Sequence, residues 1–210
     1  MDADLLRRAD GPVVITALAG APGAEYRTAG EHGRRHFTSL GAADVVVAPD
    51  AREDPAGALE AVRRARLLVL PGGSPSRLLE ALLRTGLADA LRDLLADGGV
   101  VSGSSAGAMV LGGWTVLPDR PGPHGPAVEP GLGVVPDVLV LPHWSGDGRA
   151  DWLRAIDQGV PSDVVLLGVP EQSGVLVEGE VLTAVGSPTA LLREGRRLEP
   201  GASWTRSGDA

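Results

Sequence analysis

The sequence predicts an α/β fold in which helices cover both faces of a mostly parallel sheet, giving a three-layer sandwich. Apolar, β-branched runs alternate with helical patterns through the first half of the chain. Strands without polar alternation are typical of a parallel sheet that is buried on both sides. With 43% hydrophobic residues, a chain of 210 residues can also bury a core without cross-links. We therefore predict a single domain over residues 1–210.

Four strand–helix units are expected before residue 112. Residues 75–96 predict one helix or two, with a break at Thr85-Gly86. Ser74 and Pro75 suit the N-cap and first turn of that helix. The predicted strands are 12–18, 44–49, 66–71 and 98–103, and the helices are 25–40, 54–65, 75–96 and 106–111.

The pattern is looser after residue 111. The segment Gly112–Gly133 is rich in glycine and proline, which predicts a long irregular loop. Apolar runs at 137–142 and 163–170 predict two more strands. Residues 173–186 predict an antiparallel C-terminal hairpin that turns at Glu178-Gly179. Residues 189–199 could extend this antiparallel edge, and the tail from Pro200 is expected to fray.

The composition argues against several classes of partner. The net charge is −8, and the 19 basic residues, all arginine, form no block, so we expect no nucleic-acid partner. No apolar run approaches the roughly 18 residues that a membrane span needs. The opening MDADLLRRADG lacks the apolar core of a signal peptide, which predicts a cytoplasmic protein without a membrane partner.

Metal and thiol chemistry are also disfavoured. The chain has no cysteine, which removes disulfides, thiolate zinc sites and a cysteine nucleophile. His32 and His36 have helical spacing and adjoin Glu31, but no third ligand has motif spacing, so a solvated helix face is the better interpretation. We predict no metal and no organic cofactor.

The stretch VVSGSSAGAMV contains the strongest chemical motif. Its GSSAG fits G-x-S-x-G, which places Ser105 in the nucleophile position between a predicted strand and a predicted helix. Such an elbow needs small neighbours because strand and helix pass closely. The pattern alone is weak in a chain with 30 glycines, and a glycine-rich turn with serine as polar filler is the alternative.

Three further strand ends carry groups suited to acyl transfer. Gly72-Gly73, His143 and Glu171 each follow a predicted strand. Functional groups gather beyond the carboxyl ends of parallel strands, so these residues could join Ser105 as oxyanion donor, base and orienting carboxylate. Each also has an ordinary structural interpretation: a turn, a loop histidine and a surface carboxylate.

GSSAGAMVLG resembles the elbow of the dipeptidase E and cyanophycinase family of serine peptidases, and the resemblance extends over about residues 67–177. LVLPGG resembles the family's glycine pair, GLGVVPDVLVLPHW the segment with its histidine, and LLGVPEQSGVLVEG the segment with its acidic residue. The resemblance implies a fold like that of the class I glutamine amidotransferases, which is flavodoxin-like. The length fits dipeptidase E better than the longer cyanophycinases.

The resemblance also implies roles. Ser105 would be the nucleophile, His143 the base and Glu171 its orienting group. The N–H groups of Gly73 and Ala106 would form the oxyanion hole, and no cofactor would be needed.

The implied substrate is a short peptide, with an N-terminal aspartate as one candidate. Ser74-Pro75 departs from the polar side chain that often follows the family's glycine pair, which bears on substrate recognition. Trp144 is a second candidate specificity position, although it could equally belong to the core. The candidate cations for an acidic substrate are Arg77, Arg149 and Arg154.

Other functions stay open. The chain could be a non-catalytic binding or regulatory domain of this fold, or a serine esterase or amidase for small molecules. An amidotransferase is disfavoured, since that class normally has cysteine at the elbow and passes ammonia to a synthase. The order Ser…His…Glu argues against an α/β-hydrolase, which would need its acid between serine and histidine. The acids formally available there are Asp119, Glu129 and Asp137. The oligomeric state is not predicted.

Overall fold

The computed structural model describes residues 1–146 and 149–205. Its contacts divide the chain into two compact units. The first comprises Asp2–Ala108, and the second comprises Met1 and the described residues from Met109 onward. The boundary falls inside a short helix. The prediction of a single domain over residues 1–210 stays a prediction.

Strands and helices alternate in the first unit in the predicted order. The elements are α1 (Asp2–Ala9), β1 (Val13–Ile15), α2 (Ala24–Ser39), β2 (Val45–Val47), α3 (Pro55–Arg63), β3 (Leu67–Leu70), α4 (Pro75–Thr85), α5 (Leu87–Ala96), β4 (Val100–Gly103) and the start of α6 (Ala106–Leu111). The four strands form a parallel sheet of order β2-β1-β3-β4. Gly86 lies in the left-handed region (φ 78°) and separates α4 from α5, which confirms the predicted break.

Both faces of the central strands in this sheet are buried. One face packs against Ala9 of α1 and Phe37 of α2. The alternate residues Val14 and Leu68 are equally buried on the other face. A parallel strand that is covered on both sides needs apolar residues at every position, which is why β1 and β3 contain only valine, isoleucine and leucine.

α1 has no counterpart among the predicted elements. It has acidic residues in its first turn and Arg7 and Arg8 in its last turn, an arrangement that complements the helix dipole. Asp4 bonds to both arginines. The apolar positions Leu5, Leu6 and Ala9 attach the helix to the sheet.

The second unit contains two sheets. Its elements are β5 (Gly112–Gly122), β6 (Gly125–Pro130), β7 (Val135–Pro142), α7 (Ala150–Gly159), β8 (Val165–Val169), β9 (Gly174–Glu178), β10 (Val181–Val185), β11 (Thr189–Leu191), β12 (Arg196–Leu198) and β13 (Ser203–Thr205). A six-stranded sheet has the order β12-β11-β8-β7-β5-β6, in which β5, β7 and β8 are parallel. A three-stranded antiparallel sheet has the order β13-β10-β9, and its β9–β10 pair confirms the C-terminal hairpin.

A helix and a sheet cover opposite faces of the six-stranded sheet. Leu139 and Leu141 of β7 share a core with Ile156 of α7. On the other face, Val138 and Leu167 pack with Leu182 of β10. Within the described ranges, no helix is long and apolar enough to cross a membrane.

The irregular loop predicted for Gly112–Gly133 is wrong. Residues 112–130 form the antiparallel hairpin of β5 and β6, with a register irregularity between Leu117 and Pro121. Because β6 is an edge strand, Pro126 and Pro130 can lie in it without removing donors from the interior of the sheet. Proline content therefore marked an edge strand here rather than a loop.

The fraying predicted from Pro200 is also wrong for Ser203–Thr205. These residues form β13, which pairs with β10 so that Trp204 lies opposite Leu182 and packs on the core. The rest of that prediction, residues 206–210, lies outside the described residues. Residues 189–199 do form an antiparallel edge, but β11 joins β8 in the six-stranded sheet rather than the hairpin. α7 was not predicted.

Candidate active site

Ser105 occupies the turn between β4 and α6. The Ser104 N–H donates to the Leu70 carbonyl (3.0 Å), and the Gly107 N–H donates to the Ser104 carbonyl (2.9 Å). Between these bonds, Ser105 has φ 50°, in the left-handed region. That conformation costs a residue other than glycine about 1–3 kcal/mol. The structure therefore contains the strained strand-to-helix turn that the motif implies, while the role of Ser105 as nucleophile stays a prediction.

Small residues are required on both sides of this turn. A Cβ at Gly107 would lie 2.1 Å from the Leu70 carbonyl oxygen. A Cβ at Gly103 would lie 2.5 Å from the carbonyl carbon of Gly107 and 2.7 Å from the Ala108 nitrogen. Because these neighbours are backbone atoms, the strand and the helix could not stay this close if either position had a side chain.

The glycine pair lies beside the serine. β3 and β4 are adjacent with Leu70 opposite Gly103, so the residues after both strands meet at one edge of the sheet. A Cβ at Gly72 would lie 3.1 Å from Ser105 Cβ and 3.6 Å from its Oγ. Gly73 has φ 143° and packs against Ala19. Ala106, the other predicted oxyanion donor, is buried and begins α6.

The N-cap predicted at Ser74 is confirmed. Its Oγ accepts the Arg77 N–H (3.2 Å), and Pro75 is the first residue of α4. The residue pair by which this chain departs from the family pattern therefore begins the helix that follows the glycine pair.

His143 and Glu171 are brought together by two neighbouring strands. β7 and β8 are parallel with Pro142 opposite Val169, and the Trp144 N–H donates to the Val169 carbonyl (3.1 Å). His143 adopts φ 56° just beyond β7. Its Nδ1 is hydrogen-bonded to Glu171 Oε1. This bond assigns the proton to Nδ1 in the neutral ring, so that Nε2 is the basic nitrogen.

The predicted site residues thus form two local groups. Ser105, Gly72 and Ala106 lie at one edge of the parallel sheet in the first unit. His143 and Glu171 lie together in the second unit. Their joint action as a triad stays a prediction.

The three candidate arginines differ in their surroundings. Arg77 Nη1 donates to the Ala19 carbonyl (3.0 Å) and lies 3.7 Å from a Glu25 carboxylate oxygen. The Arg149 guanidinium stacks over the Trp152 ring at 4.3 Å. Its Nη1 is buried, and no hydrogen-bond partner for it is found among the described residues. Arg154 is exposed.

Trp144 packs as a core residue. It is half-buried against the apolar cluster of β7, β8 and α7. A Cβ at Gly168 would lie 2.7 Å from Trp144 Cγ, so the indole lies directly on the backbone of β8. This packing explains the glycine in the middle of an apolar strand, and it favours the core interpretation of Trp144.

The described residues contain no group of three histidine, aspartate or glutamate side chains placed to hold a metal ion. Of the histidine pair in α2, His36 bonds through Nε2 to Asp2 Oδ2 (2.8 Å).

A partly buried ion pair in the first unit was not predicted from the sequence. Arg52 donates to both carboxylate oxygens of Asp50 (2.8 and 2.7 Å) and to the Gly20 carbonyl (2.8 Å). These residues have no motif spacing, and the carbonyl belongs to a loop 32 positions away. Arg52 lowers the pKa of Asp50, although burial alone would raise it.

The strained serine turn of the first unit and the histidine–glutamate pair of the second are each features that α/β peptidases contain, and the comparison with known families identifies the class. The family model of "Peptidase family S51" matches residues 21–185. The chain therefore belongs to peptidase family S51 and is a peptidase. This confirms the resemblance to the dipeptidase E and cyanophycinase family.

The chain is also similar to individual proteins, one named as a peptidase and one as a synthase subunit. The chain is 35% identical over 135 residues to "Peptidase E" of Streptomyces coelicolor, covering 59% of this chain and 54% of that protein. It is 31% identical over 139 residues to "Pyridoxal 5'-phosphate synthase subunit PdxT" of Deinococcus radiodurans, covering 62% of this chain and 66% of that protein. The matches thus span about half and about two thirds of these relatives.

A solved peptidase from an acI-B1 Actinobacterium superposes with a TM-score of 0.81 at 23% identity, over 97% of this chain and 89% of that one. At this identity the likeness concerns the fold alone. It confirms the predicted α/β class with a mostly parallel sheet and an antiparallel C-terminal part.

Proposed function

We propose that this peptidase is a serine-type enzyme that hydrolyses short peptides through an acyl-enzyme on Ser105. The observation that carries the proposal is the hydrogen bond between His143 Nδ1 and Glu171. A carboxylate in this position selects one tautomer of the imidazole and stabilises the imidazolium form. Nε2 then keeps its lone pair and can accept a proton from a serine hydroxyl.

The reaction proceeds in two halves. Ser105 Oγ attacks the scissile carbonyl carbon while His143 Nε2 takes its proton, giving a tetrahedral oxyanion. The C–N bond breaks as the imidazolium returns that proton to the leaving amine. Water then attacks the acyl-enzyme with the same base, and the carboxylic acid is released from Ser105.

Two backbone N–H groups would stabilise the oxyanion. Ala106 follows the nucleophile directly, and Gly73 follows the glycine that contacts Ser105. A donor of this kind is worth about 3 kcal/mol of activation free energy in other serine peptidases. Neither donor depends on a side chain, which fits a turn made almost entirely of glycine, serine and alanine.

The proposed substrate is a short peptide, with an N-terminal aspartate as the first candidate. An aspartate side chain needs a cation near the scissile bond. Arg149 is the best of the three arginines, because its buried Nη1 has no partner among the described residues and a substrate carboxylate would satisfy it. Arg77 already donates from Nη1 to the Ala19 carbonyl, and Arg154 is exposed.

The PdxT relative raises the question of an amidotransferase. That class, as the resemblance implies, has cysteine at the elbow, and this chain contains no cysteine. A small-molecule esterase would use the same serine on a different substrate, and a non-catalytic binding domain would leave the serine unreactive. Covalent labelling combined with a substrate panel therefore separates these three functions from a dipeptidase.

The test is labelling with an alkyl fluorophosphonate followed by peptide mapping. We expect one adduct, on Ser105, which Ser105→Ala abolishes and the matched variants Ser102→Ala and Ser104→Ala retain. A panel of Asp-X and other dipeptides, run beside p-nitrophenyl esters, then distinguishes a dipeptidase from an esterase. Labelling that persists in Ser105→Ala, or a wild-type protein that neither labels nor hydrolyses, would contradict the proposal.

A further inference from the structure

The carbonyl group of Ala19 joins two loops of the first unit. It accepts hydrogen bonds from the Ser74 N–H (3.0 Å) and from Arg77 Nη1 (3.0 Å). Gly73 lies against the same residue, since a Cβ at Gly73 would be 2.7 Å from the Ala19 oxygen and 2.9 Å from its Cβ. The Gly72–Gly73–Ser74 turn is therefore shaped by the loop Leu18–Gly20.

That loop is held on its other side by Arg52. The guanidinium donates from Nη1 to the Gly20 carbonyl (2.8 Å). Its Nε and Nη2 donate to the two carboxylate oxygens of Asp50. The Arg52 and Asp50 side chains retain only 18% and 7% of their exposure. A second guanidinium contact comes from the Tyr26 ring, whose centroid is 5.7 Å away.

The Arg52–Asp50 pair is better suited to fixing the position of the loop Leu18–Gly20 than to stabilising the folded state. Burying an arginine–aspartate pair costs desolvation that apolar residues of the same size would avoid. Its measurable gain is a fixed orientation, because the planar guanidinium meets the carboxylate in two bonds and leaves Nη1 aimed in one direction. Here that direction is the backbone of the loop that contacts Gly73.

We infer that Arg52, oriented by Asp50, is a positioning residue for the oxyanion hole. It fixes the loop Leu18–Gly20, and the Ala19 carbonyl of that loop binds the Ser74 N–H and sets the plane of the Gly73 turn. Because Ser74 gives its N–H to Ala19, that group is not available to the oxyanion, which the proposed function assigns to the Gly73 N–H of the same turn. The inference rests on the proposed function, since it assumes acyl transfer at Ser105.

The experiment measures the inactivation of Arg52→Met by an alkyl fluorophosphonate, with the saturating rate constant separated from the half-saturating concentration. The phosphoryl oxygen needs the same donors as a peptide carbonyl, so the saturating rate should fall about 10- to 100-fold. The half-saturating concentration should stay within about twofold of wild type, because Arg52 makes no contact with the probe. Arg92→Met is the matched control, since it breaks an exposed arginine–aspartate pair elsewhere in the same unit, and its rate should equal that of wild type.

Asp50→Asn and the double variant complete the test. Asp50→Asn keeps the volume of the side chain and answers the question if Arg52→Met does not fold. Combining both changes should cost no more than Arg52→Met alone, because both residues act through one loop. The inference would be overturned if folded Arg52→Met or Asp50→Asn had the wild-type saturating rate constant. It would also be overturned if only the half-saturating concentration of the probe changed. A wild-type protein that is not labelled at Ser105 would instead contradict the proposed function, and the inference with it.

Discussion

The Nδ1 of His143 is hydrogen-bonded to Glu171 although both side chains are substantially exposed, at 47% and 75%. The pair needs no buried pocket because the backbone holds it in place. His143 and Glu171 directly follow two hydrogen-bonded parallel strands, and the Trp144 N–H extends the ladder past the histidine. Solvent screens the charge of an exposed carboxylate such as Glu171, but its hydrogen bond can still orient the imidazole ring of His143.

Glu171→Gln tests that orienting role. An amide can donate to Nδ1 and so favour the wrong tautomer, as in other triads where this change costs up to about 10⁴-fold in kcat. We expect kcat for the best dipeptide to fall about 10²- to 10⁴-fold with little change in KM. Steady-state kinetics beside Glu180→Gln, an exposed glutamate in the β9–β10 turn, would reveal the difference. Equal kinetics in the two variants would exclude Glu171 from the triad.

Ser105→Gly should stabilise the protein while abolishing labelling. The left-handed conformation of Ser105 is strained for serine and free of strain for glycine, so we expect a gain of about 1 kcal/mol. For a chain of this length that corresponds to a rise in Tm of about 2–4 °C. The matched change at Ser104, which is not in the positive-φ region, should lower Tm. Calorimetry that found a lower Tm for Ser105→Gly would argue against stored strain at the elbow.

Two glycines near the elbow should fail in different ways when they are changed to alanine. Gly107→Ala would force a Cβ to 2.1 Å from the Leu70 oxygen and should cost about 2–4 kcal/mol of unfolding free energy. Gly72→Ala would meet Ser105 Cβ at 3.1 Å, a smaller conflict that shifts the serine and should lower kcat about tenfold or more. Gly159→Ala, where the nearest atom is 3.7 Å away, is the control for both. Chemical denaturation and dipeptide kinetics on the three variants would show whether stability and activity separate.

Arg149→Met should discriminate against acidic substrates. If the buried Nη1 binds an aspartate side chain, its loss removes a charge-assisted hydrogen bond and should raise KM for Asp-X dipeptides about 10- to 100-fold. Methionine keeps an apolar stem over Trp152, so uncharged dipeptides should be hydrolysed as before. Arg154→Met provides the matched loss of an exposed arginine. An equal loss for all substrates, or none, would remove Arg149 from the binding site.

The local placement of the candidate residues could be predicted from strand ends. Ser105 follows β4 in the first unit. His143 and Glu171 follow the neighbouring parallel strands β7 and β8, which bring these two residues to one edge of the six-stranded sheet. The elbow was also readable, since G-x-S-x-G reports a local requirement for small residues.

The missed features depend on partners that are distant in the chain. Arg52 is positioned by its hydrogen bond to a carbonyl 32 positions away, and the residues next to Arg52 in the sequence do not predict that contact. β6 was hidden because its prolines resemble a loop until the strand is known to lie at an edge. β13 exists because Trp204 has a place on the β10 face, which no local pattern records.

The titration of Tyr26 tests the contacts around Arg52, because the Tyr26 ring lies beside the Arg52 guanidinium. Burial raises its pKa to about 12, while its hydroxyl donates to the Ala48 carbonyl (2.8 Å). A raised pKa means that the folded state keeps the proton longer than the unfolded state. Its contribution to stability is therefore complete below pH about 10 and is lost as the pH rises towards 12, by up to about 1.4 kcal/mol per pH unit.

The measurement is direct, because Tyr26 is the only tyrosine and the chain contains no lysine to titrate in the same range. Tyrosinate absorbance should rise near pH 12 in the folded protein and near pH 10 in denaturant. Tyr26→Phe should remove the fall in unfolding free energy between pH 10 and 12, leaving only the residual change from other groups. A folded-state absorbance midpoint near 10 would show that the phenol is not held as the structure places it, and that the contact between its ring and Arg52 is not maintained in solution.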